Sequence, residues 1–298
     1  MSGLAVEKQM AKDIVKRIDG RVVVASISGG KDSAALSLWL TENGIEHRRV
    51  FADTGWEHQH TYEYLRGDLQ DKIGPIDEVG YLGGMKALVA KKGMFPSRVA
   101  RFCTEELKVI PLAAYVRKIQ DEVGEAINVV GIRRAESKAR SEMEEWEWSS
   151  AFDSEVWRPL IHWTEQDVID IHTRHGLRPN PLYLLGAERV GCFPCIFARK
   201  QEVKLVSEIA PTRIDEIRVM ERDTTAASTA RGSAHPIYGS ERTFFHGKLS
   251  REGKPFPIDT IVEWSKTSRG GTQYQLIEEE APEGCVRWGL CDVVAEKK

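Results

Sequence analysis

The sequence predicts an α/β protein built on a doubly wound, mostly parallel sheet, followed by a helical, cysteine-containing C-terminal extension. Three observations predict it. Short β-branched runs alternate with stretches of helical apolar spacing through the first half of the 298-residue chain. The first run ends in a glycine pair that opens directly into a helix. Connections of this kind join parallel strands through a crossover helix, so the strands should share one sheet.

The elements follow in order. Residues 21–27 (RVVVASI) read as a buried strand. Residues 33–43 carry helical apolar spacing, with Gly44 placed to stop the helix. Residues 47–55 (HRRVFADTG) form a second strand ending near Asp53, and helical spacing resumes over 60–74. Residues 76–81 (IDEVGY) are a weaker strand. Pro111 sits where a first-turn proline would open a helix over 111–124, and residues 126–133 (AINVVGIR) give another buried strand. Ligands of such sheets bind at the carboxyl ends of the strands, so the residues after each strand, Ser28, Asp53 and Gly131, should gather there. Residues 164–176 (TEQDVIDIHTRHG) predict a helix with a capping box of Thr164 and Asp167 and a Gly176 stop. Residues 201–223 predict one or two helices interrupted at Pro211. The small, polar stretch 224–235 (TTAASTARGSAH) reads as a linker or loop, and the tail alternates turns with short β-like runs at 272–277 and 285–291. The expected division is a nucleotide-binding α/β domain over 1–200 and an extension over 201–298.

Lys and Arg (42) nearly balance Asp and Glu (45), so no global field steers the chain to nucleic acid or an anionic membrane. No export signal and no run of about 18 apolar residues is present, which predicts a cytoplasmic protein without a membrane partner. Five cysteines are an odd number for a disulfide framework and suit a reducing compartment.

The loop after the first strand is Ser28-Gly29-Gly30-Lys31-Asp32-Ser33. It is not a Walker A loop, because Ala25 stands where that motif needs its first glycine and Asp32 follows the lysine. Its chemistry still suits phosphate. The glycines let backbone N–H groups close on an anion, the next helix presents its positive end, and Lys31 with the Ser28 and Ser33 hydroxyls adds donors. The plainer alternative is a glycine turn with Ser33 as a helix cap. Asp53 and Thr54, at a strand end, could bond a ribose or an adenine. Arg101, Lys108, Arg133 and Arg140 concentrate positive charge near predicted strand ends and suit a second anion, unless they are solvated helix residues paired with Glu106 and Glu136. Cys192-Phe-Pro-Cys195 could be a redox pair, half a zinc site or two cluster ligands, and Cys285 with Cys291 supplies another pair. His58 and His60 read as surface residues. Trp146, Trp148, Trp157 and Trp163 read as core packing, with stacking on a base as the alternative.

At residues 28–33 the sequence resembles the PP-loop ATP pyrophosphatases, whose signature is S-G-G-x-D-S after the first strand. FADTGWE (51–57), RFCTEELKVIP (101–111), GIRRAESKAR (131–140) and the stretches within 159–195 resemble the phosphoadenosine phosphosulfate reductase superfamily of that fold. The resemblance implies a Rossmann-like sheet that grips the β,γ-pyrophosphate of ATP, with Mg²⁺, and cleaves beside the α-phosphate. Lys31 would then offset charge as that bond breaks, and Asp32 would assist the metal. Sulfonucleotide reductases of the superfamily lack the intact loop and carry a catalytic cysteine in an E-C-G-[IL]-H tail, where this chain has EGCVRWGLCDV. The pattern is therefore closest to the sulfur-inserting branch that acts on DNA backbones. This implies an ATP-dependent sulfur-transfer enzyme, supplied by a donor such as a cysteine desulfurase, with nucleic acid among the conceivable acceptors. By the same resemblance Cys103 is a ligand or a sulfur-carrying residue. With Cys192, Cys195 and a tail cysteine, Cys285 or Cys291, it would hold a [4Fe–4S] cluster, with zinc as the alternative. A thioredoxin-dependent sulfonucleotide reductase and a non-catalytic nucleotide-sensing subunit remain as rivals.

Overall fold

A computed structural model describes residues 14, 16–233, 239–245, 255–268 and 288. The described chain divides into two compact units. The first comprises Met1–Ala52, Leu65–Val79 and Val109–Arg178. Its strands are β1 (Val22–Ile27), β2 (His47–Asp53), β3 (Asp77–Gly80), β4 (Ala126–Val130), β5 (Trp146–Ser149) and β6 (Ser154–Trp157), ordered β3-β2-β1-β4-β6-β5 in one sheet. β1 runs parallel to β2 and β4, and β4 parallel to β6, while β5 returns antiparallel on β6. The mostly parallel α/β sheet expected from the sequence is thus present.

Helix α1 (Lys31–Glu42) connects β1 to β2, and α4 (Ile110–Val123) leads into β4. The strand order reverses direction between β1 and β4. Right-handed crossovers running in opposite directions put their helices on opposite faces, which is what doubly wound means. One apolar layer joins Val24, Val50, Ala126 and Val156 of the strands to Ala113, Val116 and Ile119 of α4. The i, i+3, i+6 spacing of those three residues explains why this face of α4 is the buried one.

Two local expectations change, and the reading of the tryptophans as core holds for Trp146 and Trp157. The helix expected over 60–74 is broken: α2 (Gln59–Tyr64) ends before a kink at Gly67, whose φ of −116° and ψ of −109° are not helical. Helical backbone resumes over Gln70–Ile73. β5 and β6 were not apparent in the sequence, because four-residue strands mixing Trp, Glu and Ser show little alternation. They are joined through Asp153, which adopts a positive φ of 48°. Trp157 is fully buried, with Trp146 stacked on it at 4.8 Å and Trp39 edge-on at 5.7 Å, so Trp146 and Trp157 pack the structure rather than await a base.

The second unit comprises Asp53–Tyr64, Gly80–Lys108 and Pro179–Lys298. Besides α2, its described helices include α3 (Gly84–Lys92), α6 (Pro181–Leu184), α7 (Lys200–Ile209), α8 (Pro211–Ala230) and α9 (Ile258–Lys266). They enclose a core around Trp56, Phe95, Leu107, Val206, Ile217, Phe244 and Val262. The break expected at Pro211 separates α7 from α8. The expected linker beginning at 224 is a correction: residues 224–230 continue α8, with Thr224 and Ser228 buried and the Thr225 hydroxyl accepting the Arg242 N–H at 2.9 Å. Small polar residues look like a linker, yet here they let a neighbouring segment approach closely. The β-like tail runs lie outside the described residues except Trp288. Among the described residues no helix is long and apolar enough to cross a membrane.

Candidate functional site

In the first unit, β1 delivers the glycine loop to the point where the strand order reverses. Gly29 holds a φ of +74°, a conformation that L side chains rarely adopt. No side chain caps the N-terminus of α1, which starts directly after Gly30. A positive helix end is therefore offered at the loop, as an anion site requires. The Ser33 hydroxyl donates to the Gly30 carbonyl at 3.0 Å and accepts the Ser28 N–H at 3.1 Å. Ser33 is thus a brace for the loop, and the hydroxyl of the exposed Ser28 turns into it, 3.1 Å from that of Ser33 and accepting the Gly30 N–H at 3.4 Å. Gly131, after β4, backs the same loop. A Cβ there would lie 2.5 Å from the Asp32 carbonyl oxygen, so only glycine permits the approach.

The two charged residues of the loop are held by ion pairs within the unit. The Asp32 carboxylate pairs closely with Arg133, whose side chain is almost wholly buried. Lys31 Nζ lies 3.3 Å from Glu165 Oε1, at the first turn of helix α5 (Glu165–Arg174). The same helix contributes His172, whose Nε2 lies 2.9 Å from the Lys31 carbonyl oxygen. A carbonyl only accepts, so Nε2 carries the proton. Burial lowers the His172 pKa and favours this neutral form. The capping box of Thr164 and Asp167 forms as expected and starts α5 at the right point. Beside it lies a cavity of about 440 Å³ lined by Arg133, Arg134, His162, Trp163, Thr164 and Glu165. Arg140 is half-buried and paired with Glu136.

In the second unit the FADTGWE and GCFPC segments are stitched together. Trp56 Nε1–H donates to the Pro194 carbonyl at 3.0 Å, and the Phe193 N–H donates to the Trp56 carbonyl at 2.8 Å. Arg213 stacks over the Trp56 ring at 4.1 Å. Glu57, only 2% exposed, accepts the Thr54 hydroxyl at 2.7 Å and the Thr54 and Trp56 N–H groups at 3.3 Å each. This corrects the expectation for Thr54: its side chain is buried and turned to Glu57, not offered to a ribose. With its hydrogen given to the carboxylate, its oxygen remains to accept from the Cys192 thiol at 3.7 Å. Asp53 Oδ1 accepts the Gly55 N–H at 2.8 Å and meets the Tyr62 hydroxyl at 2.7 Å. Burial and these carboxylates raise the Tyr62 phenol well above its usual range.

Lys108 lies in this unit beside the cysteines, and its expected partner Glu106 pairs with Lys92 instead. Negative charge on Cys192 raises the Lys108 pKa most, and burial opposes it. Burial pushes the Cys192 thiol up, with Lys108 countering, and burial likewise raises Cys103. Arg101 is exposed and stacks on Phe197 at 5.2 Å. His58 is half-buried rather than on the surface, edge-on to Phe193 at 4.9 Å. Among the described residues no group of three or more His, Cys, Asp or Glu is arranged to hold a metal ion. Cys103, Cys192 and Cys195 as placed therefore do not by themselves fit a cluster or zinc, and Cys285 and Cys291 lie outside the described residues.

Sequence reasoning missed Glu57, Glu165 and His172. Glu57 sits inside FADTGWE, but only the fold shows that four donors surround it, the Tyr62 hydroxyl at 3.1 Å joining the three from Thr54 and Trp56. Glu165 and His172 share a helix read solely for its caps, and their contacts to Lys31 span more than a hundred residues.

The phosphoadenosine phosphosulfate reductase domain model matches residues 22–198. An uncharacterized 37.8 kDa protein of Escherichia phage 186 is 32% identical, with 87% of this chain and 92% of that one covered. An uncharacterized protein of Methanocaldococcus jannaschii is 30% identical over 62% of this chain, which spans only 38% of that relative. An adenosine 5'-phosphosulfate reductase of Anoxybacillus flavithermus is 37% identical over 60% of this chain and 68% of its own length. A crystal structure of the phosphoadenylyl-sulfate reductase of Candida auris, in complex with phosphate, aligns at TM-score 0.48 and 16% identity, covering 65% of this chain and 97% of that one. With the domain matched over more than half its length, this chain belongs to the phosphoadenosine phosphosulfate reductase domain family.

Proposed function

We propose that this chain is an ATP-dependent sulfur-transfer enzyme. Residues 28–33 take the β,γ-phosphates of ATP, with Mg²⁺. An acceptor oxygen attacks the α-phosphorus, the α–β bond breaks, and pyrophosphate leaves. A sulfur nucleophile then displaces AMP from the activated acceptor. The observation that supports this most is the intact loop on the uncapped start of α1, with Lys31 at its head. Such a site suits a polyphosphate better than an isolated sulfonate. Lys31 would neutralise charge gathering on the leaving pyrophosphate. Arg133, held ready by Asp32, would meet the α-phosphate or the acceptor. A persulfide carried by a cysteine desulfurase is a suitable sulfur source: its outer sulfur bonds to the acceptor as AMP leaves, and an external thiol then cleaves the S–S bond to the donor cysteine, itself becoming part of a disulfide. The acceptor includes nucleic acid among its candidates.

A sulfonucleotide reductase using thioredoxin is the second reading, favoured by the 37% identical relative named as such. The test uses ATP labelled in its α-phosphate, a persulfide-loaded desulfurase and candidate acceptors. Labelled AMP released with pyrophosphate, and lost in Lys31→Ala, is the expected outcome. Sulfite release from adenosine phosphosulfate, with no ATP turnover, would replace this reading with the reductase.

A further inference from the structure

The ion pair between Lys31 and Glu165 has a consequence for ligand selection. Lys31 is the one lysine of the loop, and its side chain is 9% exposed. The carboxylate facing it stands at the start of α5, 3.3 Å away, and is 35% exposed on the side of the cavity. An anion entering the loop needs the Lys31 ammonium and the positive end of α1. Glu165 presents a like charge to that anion and competes with it for the same ammonium. The remaining loop charge cannot relieve this competition, since Asp32 is itself negative and held on Arg133.

We infer that Glu165 is an internal counter-ion that polyanions must displace from Lys31, and so a specificity-determining residue of the loop. The inference rests on the loop being the phosphate site. A group with several negative charges gains enough from Lys31, the helix end and the backbone donors to displace the carboxylate. A weakly charged anion leaves the Lys31–Glu165 pair in place. The geometry allows the exchange. Glu165 borders an open cavity of about 440 Å³ into which its side chain can swing, whereas the Lys31 side chain is buried and its backbone carbonyl is held by His172. Because α5 supplies both contacts, releasing Glu165 leaves His172 to keep the helix on the loop. The ordinary stabilising role of an acidic residue in a helix's first turn does not account for a carboxylate placed on the loop lysine.

The experiment is calorimetric titration of inorganic pyrophosphate into the full chain, comparing wild type with Glu165→Gln and Glu165→Asp at low and high salt. Removing a partly exposed competitor of this kind should tighten binding about fivefold in Glu165→Gln at low salt. The gain should shrink as salt screens the pair. Glu165→Asp keeps the charge at the start of α5 but draws it back from Lys31, and should show an intermediate gain. Circular dichroism checks that both variants are folded. If wild type binds pyrophosphate and both folded variants bind it equally or more weakly, Glu165 is no counter-ion and the inference fails alone. If neither wild type nor variants bind pyrophosphate, the phosphate-site reading fails and the inference with it.

Discussion

Single residues in this chain owe their roles to partners distant in sequence. Asp32 was expected to act on a ligand metal, and it is also the anion that neutralises nearly buried Arg133. Removing it leaves that guanidinium without its carboxylate, so Asp32→Ala tests stability together with binding, and Lys31→Ala is the cleaner probe. Thr54 shows the same logic in the second unit. Its hydroxyl gives a 2.7 Å hydrogen bond to the buried Glu57 carboxylate. Thr54→Val conserves shape but takes away this donor, leaving a charge with one fewer partner in an apolar core. Urea unfolding should report a loss of about 1–3 kcal/mol. An unchanged midpoint and slope would show that Glu57 finds compensation elsewhere.

At the scale of elements, β2 and α1 are locked by a polar relay that is sensitive to pH. His47 Nδ1–H donates to the Ile45 carbonyl at 2.8 Å, and its Nε2 accepts from the Ser37 hydroxyl at 2.7 Å. The Ser37 oxygen in turn accepts Arg49 Nε–H at 2.9 Å. A proton on Nε2 would face an oxygen already engaged and a cation nearby. Burial first, and the Arg49 charge with it, lower the His47 pKa to about 4. The unfolded chain takes up this proton near pH 6.5 and the folded chain does not until about pH 4, so stability is full above 6.5 and falls as pH drops between those values. Other groups titrate in this range, so the check is a comparison. Unfolding free energy measured from pH 4 to 6.5 should depend less steeply on pH in His47→Gln, by at most one proton. Equal slopes would contradict the relay. The elements themselves were legible wherever a periodic run ended in a clear stop, as at Gly44, Pro211 and Gly176. They were not legible where tertiary contacts overrode local composition. Residues 224–230 are small and polar yet helical, because their buried face receives Arg242 and its neighbours. Glu221 on the same helix accepts the Phe244 and Ile258 N–H groups at 2.8 and 3.0 Å, a tie that no local pattern announces.

For the whole molecule, the mostly parallel α/β sheet and the place of the glycine loop were readable because strand, loop and helix are contiguous in sequence, while the strand order was not. The family match spans residues 22–198, which include that sheet. The phage relative covers 87% of the chain, so the similarity continues beyond the domain into the extension. What the sequence hid was the distribution of its charges: Lys31, Asp32, Arg133 and Arg140 belong to the first unit, while Arg101, Lys108 and the described cysteines Cys103, Cys192 and Cys195 belong to the second. The central claim is that the loop of residues 28–33 selects the pyrophosphate moiety of ATP. It is tested most directly by calorimetric competition between ATP and adenosine 5'-phosphosulfate for the full chain in the presence of Mg²⁺. The account predicts that ATP binds more tightly and that Lys31→Ala removes most of its advantage. Tighter binding of the sulfonucleotide, with ATP affinity indifferent to Lys31, would contradict it.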